Sequence, residues 1–386
     1  MPGPPPIPPQ RRWRTALLVG IAIVVGSGIG VLLVRAPTPA ATYGPTEIDL
    51  LPSENTRSAC IVGVLGEPRP TLDLHYGTLQ GNTYDVPTGT TGHVGMCYNA
   101  TTGSLFAYAN WSNVGSAGGW FSYPQVTYGV NDYLGAETTY TNQSPAWALP
   151  QTVNATVHED LWVTATYALR APPSSDVSGY DLSFDDFVSQ GLPPRLDQGP
   201  FVEVEIFLAH NISYPFVYSH WSMPTLVNGS VTTAPWDVGY WCHGTDNGSN
   251  ANVSFDFSYG GQATHGLARG TIGVNLSAVF AEVEALIGVA SCWTGPASEF
   301  SQFYLGEEDL GSEDGAVGGA SYDYNWTVRA YCLHTDVLLG GNVSCGAAAP
   351  VRPLTDAPEG IFAAGTPAGP AAAPRPRGGS WHGARS

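Results

Sequence analysis

The chain has 386 residues, with 32 acidic side chains against 14 basic ones, a formal net charge of −18, and no lysine. Residues 60–345 hold 27 acidic residues and five arginines, which argues against a nucleic-acid partner, because phosphate binding needs the opposite charge. Covalent catalysis through a lysine amine is excluded outright.

Residues 1–15 are proline-rich and carry Arg11, Arg12 and Arg14. Residues 16–34 (ALLVGIAIVVGSGIGVLLV) are uncharged and apolar, and as a helix they would span roughly 28 Å, about one hydrocarbon core. The preceding arginines predict a cytoplasmic N-terminus, a single-pass transmembrane helix and an extracellular remainder. A cleaved signal peptide, giving a secreted protein, is the competing reading. Arg35 followed by Pro37 makes a poor cleavage site, which favours the anchor. Residues 35–58 then read as a linker and 59–345 as one domain rich in Tyr, Trp, Thr, Val and Gly, a composition that predicts an all-β fold. Residues 346–386 are Ala, Pro, Gly and Arg with few large apolar groups. Such a tail cannot offset its ordering entropy and is expected to be disordered.

Within the domain, residues 103–128 read as strands separated by glycines, followed by alternating segments at 151–157 and 161–170. Residues 171–200 are rich in proline and aspartate and read as a long loop. Strands are expected at 201–209, 214–221, 236–242 and 252–259. From Leu276 the apolar residues recur at Val279, Phe280, Val283, Leu286 and Ile287, the spacing of one helix, capped by Asn275 or Ser277 and ended by Gly288. Two last strands fit 300–306 and 320–334. Six cysteines (Cys60, Cys97, Cys242, Cys292, Cys332, Cys345) lie in this domain without close CxxC spacing, so disulfides are expected rather than a metal site. Cys332–Cys345 would close a short loop. Eleven Asn-x-Ser/Thr sequons are consistent with a glycosylated exterior.

Two segments carry the chemistry. Residues 201–209 (FVEVEIFLA) place Glu203 and Glu205 on one face of an apolar strand, and residues 303–311 (FYLGEEDLG) set further acids in an aromatic run. A carboxylate in such a strand is costly unless paired, hydrated in a cleft, or used. Two carboxyls across a groove suffice to hydrolyse a glycosidic bond; the alternative is that Glu203 and Glu205 lie on the solvated face of an ordinary strand. No Gly-x-Ser-x-Gly elbow and no His-Glu-x-x-His is present. No metal ligand set and no cofactor is expected.

Read in order, these pieces resemble glycoside hydrolase family 12, the β-jelly-roll endoglucanases and xyloglucanases. The resemblance spans roughly residues 60–332. It rests on Ala109-Asn-Trp-Ser112, Ser122-Tyr-Pro-Gln-Val126, Ala148-Leu-Pro-Gln-Thr152, Val202-Glu-Val-Glu-Ile-Phe-Leu208, Trp236-Asp-Val-Gly-Tyr240, the lone helix, and Gly306-Glu-Glu308 closing with Gly311. It implies a jelly-roll sandwich of two antiparallel sheets with one helix, and an early Cys60–Cys97 disulfide. It further implies Glu203 as nucleophile and Glu308 as general acid/base of a retaining hydrolase of β-1,4-linked glucan. Trp111, Trp120 and Trp236 would bind substrate. The family's Asn-Asn-x-Trp segment has no counterpart. Its Tyr-Asp-Leu, whose Asp supports the nucleophile, is matched by Tyr167-Ala168-Leu169; Glu205 is expected to supply that supporting carboxylate or to share a proton with Glu203. The expected partners are a polysaccharide and, through the N-terminal helix, a membrane, with the protein a monomer. The alternative on the same fold is a non-catalytic cell-surface carbohydrate-binding domain. An acid peptidase is a more distant one.

Overall fold

The computed structural model describes residues 47–335 and Cys345, apart from 52–56, 66–69, 84–85, 117–118, 121, 132–138, 141–142, 145–146, 172–176, 192–199, 212–216, 244–251 and 262–263. The expected membrane helix at 16–34 and the tail at 346–386 lie outside the described residues, among which no helix is long and apolar enough to cross a membrane.

In chain order the first strands are β1 (Glu47–Asp49), β2 (Ala59–Val64), β3 (Thr71–Asp73), β4 (Thr78–Thr83), β5 (Thr91–Asn99), β6 (Ser104–Ser112), β7 (Gly119–Trp120), β8 (Ser122–Asn131), β9 (Thr139–Tyr140) and β10 (Gln151–Thr152). A short helix, α1 (Val153–His158), precedes β11 (Trp162–Arg170), β12 (Val177–Ser189), β13 (Phe201–His210), β14 (Ser219–Val227), β15 (Ser230–His243), β16 (Asn252–Tyr259) and β17 (Arg269–Asn275). The principal helix, α2 (Leu276–Leu286), leads to β18 (Tyr304–Gly311), β19 (Asp314–Ala316) and β20 (Tyr322–His334).

These strands form two layers. The first runs β3–β4–β8–β18–β12–β13–β16–β15–β14. The second half of β14 then pairs with β17, and the order continues β17–β11–β20–β6–β5–β2, with β1 on the end of β20. This is the expected jelly-roll sandwich, with one departure: β13 and β16 are parallel. Parallel neighbours need a long crossover, which the β14–β15 hairpin supplies.

Alternation decides what the core contains. Val202, Val204 and Ile206 of β13 point inward with Phe255 and Phe257 of β16 and Phe184 of β12, all fully buried. From the second layer Ile272, Val274, Val163 and Tyr331 meet them; the rings of Phe184 and Tyr331 stack at 6.1 Å across the layers. Helix α2 adds Val279, Phe280 and Val283. Asn275 caps it, its side chain accepting from the Ala278 N–H, while Ser277 ties the helix to Leu161 and Thr156 instead.

Several expectations are corrected. The segment 151–157 is a two-residue strand and then α1, capped by Thr152. Residues 171–200 are not one long loop: β12 occupies 177–189 in the middle of the first layer, between β13 and β18. The strand expected at 214–221 begins at Ser219 and runs on to Val227. Residues 297–302 are a 3-10 helix, so the strand expected from 300 begins at Tyr304. The expected linker 35–58 contains β1, which belongs to the fold. All six cysteines are paired, Cys60–Cys97, Cys332–Cys345 and Cys242–Cys292.

Candidate active site

The first layer has one face toward the core and one away from it. Strand register places the acidic groups on these faces. Glu203 and Glu205 of β13 lie on the outward face, opposite Phe187 and Asp185 of β12. On its other side Glu203 is opposite Ser254 of β16, and Glu205 is opposite Asp256. Beyond β12, Phe187 faces Glu307 and Asp185 faces Asp309 on β18. Beyond β18 come Gly129 and Thr127 of β8. A band of carboxyls therefore crosses β18, β12, β13 and β16 at right angles to the strands.

The contacts are close. The carboxylate oxygens of Asp185, Glu203 and Glu205 lie within 4.8 Å of one another. The Ser254 hydroxyl donates to Glu203 Oε2. The Gln125 amide donates to Asp309 Oδ2 and, at 3.5 Å, to Glu307 Oε1. Glu203 and Glu205 are half-buried, whereas Asp185, Glu307 and Asp309 are buried, so the accessible part of the band centres on β13.

Crowding sets the protonation. Burial, reinforced by Glu203 and Asp256, raises the Glu205 carboxyl well above its usual range. Burial followed by the charge of Glu203 does the same to Asp185, which also feels Glu307. Burial and then Glu307 raise Asp309. The three arginines on described strands, Arg170, Arg269 and Arg329, all lie in the second layer. The trio Asp185, Glu203 and Glu205 has the spacing to surround one cation. The grouping of Cys332, His334 and Cys345 is spent on a disulfide.

Glu308 is not in this band. It is fully buried on the core face, opposite Asp186 of β12 and Tyr128 of β8, and it accepts from the Tyr331 hydroxyl at 2.9 Å. The reason is a bulge. Val188 pairs with Leu305 but Phe187 pairs with Glu307, so Gly306 is the extra residue and every side chain after it changes face. Gly129, at φ +117°, leaves room for the bulge: a Cβ there would meet the Gly306 carbonyl oxygen at 2.3 Å. Strict alternation from the inward Leu305 would have put Glu308 outside. With the bulge, Glu307 takes that place.

Other expected residues are redistributed too. Trp111 and Trp236 are core residues, 1% and 0% exposed; the Trp236 indole donates to Thr225 at 3.1 Å and packs edge-on against Tyr259. Both point into the sandwich core rather than to the outward face. The Trp120 side chain lies outside the described residues. Tyr167, of Tyr167-Ala168-Leu169, is buried in the second layer, its hydroxyl bonded to the Leu267 carbonyl. The carboxylate that lies beside Glu203 and Glu205 is Asp185, hidden in the segment read as a loop. Trp241, which drew no attention in the sequence, lies on the outward face of β15, opposite Ser254.

No family model matches the chain and no curated protein matches it. Among solved structures, a native family 12 xyloglucanase from Bacillus licheniformis is similar at 15% identity and a TM-score of 0.47, over 71% of this chain and 99% of that one. Endoglucanase 3 of Trichoderma harzianum, from family GH12, is similar at 15% identity and a TM-score of 0.40, over 70% and 96%. A family 11 xylanase from Neocallimastix patriciarum is similar at 13% identity and a TM-score of 0.42, over 72% and 100%. Two of these three belong to the family that the sequence motifs resemble. What the outward face can do follows from its own residues.

Proposed function

We propose that this protein is a glycoside hydrolase that cleaves β-1,4-linked glucan-type polysaccharide with retention, its domain held outside the cell by the apolar segment 16–34. The observation that carries this reading is the outward carboxyl band: Glu203 half-exposed and held by Ser254, with Asp185 and Glu205 beside it and Glu307 in line across Phe187. In the proposed reaction Glu203 attacks the anomeric carbon. Glu307, in place of the expected Glu308, protonates the leaving oxygen and then activates the water that releases the sugar. The backbones of β13 and β18 stand two strand spacings apart, about 10 Å, with Phe187 of β12 between them. Glu205 and Asp185, both held toward their neutral forms, can donate to Glu203 without adding charge. An outward face with no lysine and, among the described residues, no strand-borne arginine suits a neutral glycan better than an anionic one.

The test is reducing-sugar release from β-1,4-glucan, xyloglucan and mixed-linkage glucan between pH 2 and 7, by the parental chain and by Glu203→Gln and Glu307→Gln. Loss in both variants supports the reading, and the anomer first released reports retention or inversion. Glycan binding without release would make the domain a non-catalytic surface module. Cleavage of protein at acid pH instead of glycan would move it to another class.

A further inference from the structure

Trp241 is an exposed aromatic on the outward face of β15. Among the described tryptophans it alone is more than a third exposed, at 40%, while Trp111, Trp162, Trp236 and Trp326 are at most 1% exposed. A single exposed apolar side chain is ordinary on a protein surface, so exposure by itself says little. Its placement says more. Glu203, Ser254 and Trp241 are directly opposed residues on three adjacent strands, β13, β16 and β15, and so share the outward face. Ser254, already bonded to Glu203, fills the interval between the glutamate and the indole. The next outward position on β15 is Gly239, opposite Asp256, which leaves the floor beside the indole low. The following residue, Cys242, is bonded to Cys292, in the segment between α2 and β18, which fixes the strand where it carries Trp241. The accessible part of the outward face thus runs from Glu203 to a fixed, solvent-facing aromatic plate two strands away.

We propose that Trp241 is a glycan-binding platform: a pyranose ring of the bound polysaccharide stacks its apolar face on the indole, about 10 Å from Glu203, and so is a ring other than the one attacked. This rests on the hydrolase reading above and adds to it a substrate-holding residue outside the carboxyl band. The platform works by covering apolar indole surface with the C–H face of the sugar while the ring hydroxyls stay hydrated. It therefore contributes to holding a polymer and little to bond cleavage, so its loss weakens binding rather than slowing chemistry.

The experiment compares the parental chain with Trp241→Ala and Trp241→Phe on mixed-linkage β-glucan, with thermal melting as a check on folding. Trp241→Ala should raise KM about tenfold, equivalent to about 1.4 kcal/mol, with a much smaller change in kcat, and Trp241→Phe should recover most of the loss. In the Glu203→Gln background, the indole fluorescence change on titration with the same glucan should disappear when Trp241 is also replaced. An unchanged KM in Trp241→Ala, or a fall in kcat with KM unchanged, overturns the platform and leaves the hydrolase standing. A parental chain that neither releases sugar from the glucan nor binds it overturns both.

Discussion

Strands β12 and β18 present carboxyls to two different surroundings at consecutive residues. Outward, Asp185, Glu307 and Asp309 join Glu203 and Glu205 in a band that reaches solvent at β13. Inward, Asp186 and Glu308 oppose each other in the sandwich core, both fully buried. Val204 of β13 and Tyr128 of β8 flank the inward pair, and Tyr331 of β20 reaches it from the opposite layer as a hydroxyl donor. No cation is among these neighbours. Of the outward groups, the half-buried Glu203 and Glu205 can exchange protons with water and with a substrate. The inward groups can only keep theirs or destabilise the fold, since two buried like charges facing each other cannot both ionise. One residue of register separates chemistry from stability here.

The largest effect should separate the two faces directly. Glu203→Gln and Glu307→Gln should each lower kcat/KM on glucan by roughly a thousandfold or more, with melting temperatures at acid pH near the parental value. Glu308→Gln, an isosteric copy of the protonated form that can still accept from Tyr331, should retain most of the activity. Glu308→Gln abolishing turnover in a folded protein, with Glu307→Gln active, would reverse the assignment of faces. Steady-state kinetics on the purified variants decides.

The alternation in 201–209 identified Glu203 and Glu205 as a shared face, because β13 is regular where it carries them. The helix 276–286 was equally plain, because its apolar spacing and Asn275 cap are local signals. Segment 304–311 also alternates, but the bulge at Gly306 is fixed by pairing with β12 and β8, strands more than a hundred residues away in sequence. Nothing in Leu-Gly-Glu-Glu announces which glutamate turns inward. β12 itself was hidden because six of its positions are acidic or serine and its flanks hold prolines; the signal left was Leu182, Phe184 and Val188 at alternate positions. Trp111 and Trp236 show the converse error. Aromatic content marks both core and cleft, and only the opposing layer decides which.

A smaller effect tests the inward pair through pH. Burial raises Asp186 from the ordinary carboxyl range to about 7, and burial, then the charge of Asp186, holds Glu308 well above its usual range. Burial also raises Asp314, bonded to Ser122 and Tyr322, to about 6. In the unfolded chain such groups titrate near pH 4, so between about pH 4 and 7 the folded state binds more protons and stability falls as pH rises. The contribution is fully present below pH 4 and is lost as pH passes the folded values. The melting temperature should therefore drop from pH 4 to 7, by roughly 5–10 °C. Glu308→Gln should flatten that slope while changing little at pH 4. A parental melting temperature that rises over this interval would mean that the inward pair is not holding protons.

The smallest and most local effect concerns Glu205, where the two surroundings meet: it is on the outward face, yet burial and then the charge of Glu203 raise its carboxyl well above its usual range. Glutamine at 205 copies the neutral carboxyl, so Glu205→Gln should match the parental rate in acid. As pH rises, the parental Glu205 ionises beside Glu203, Asp185 and Asp256, and a charge there disturbs the nucleophile's hydrogen bonding. The variant escapes that charge, so the alkaline limb of its kcat/KM profile should move to higher pH, by about one unit. A profile that superimposes on the parental one would show that Glu205 neither supports Glu203 nor shares its proton. The outward band would then reduce to Glu203, Asp185 and Glu307.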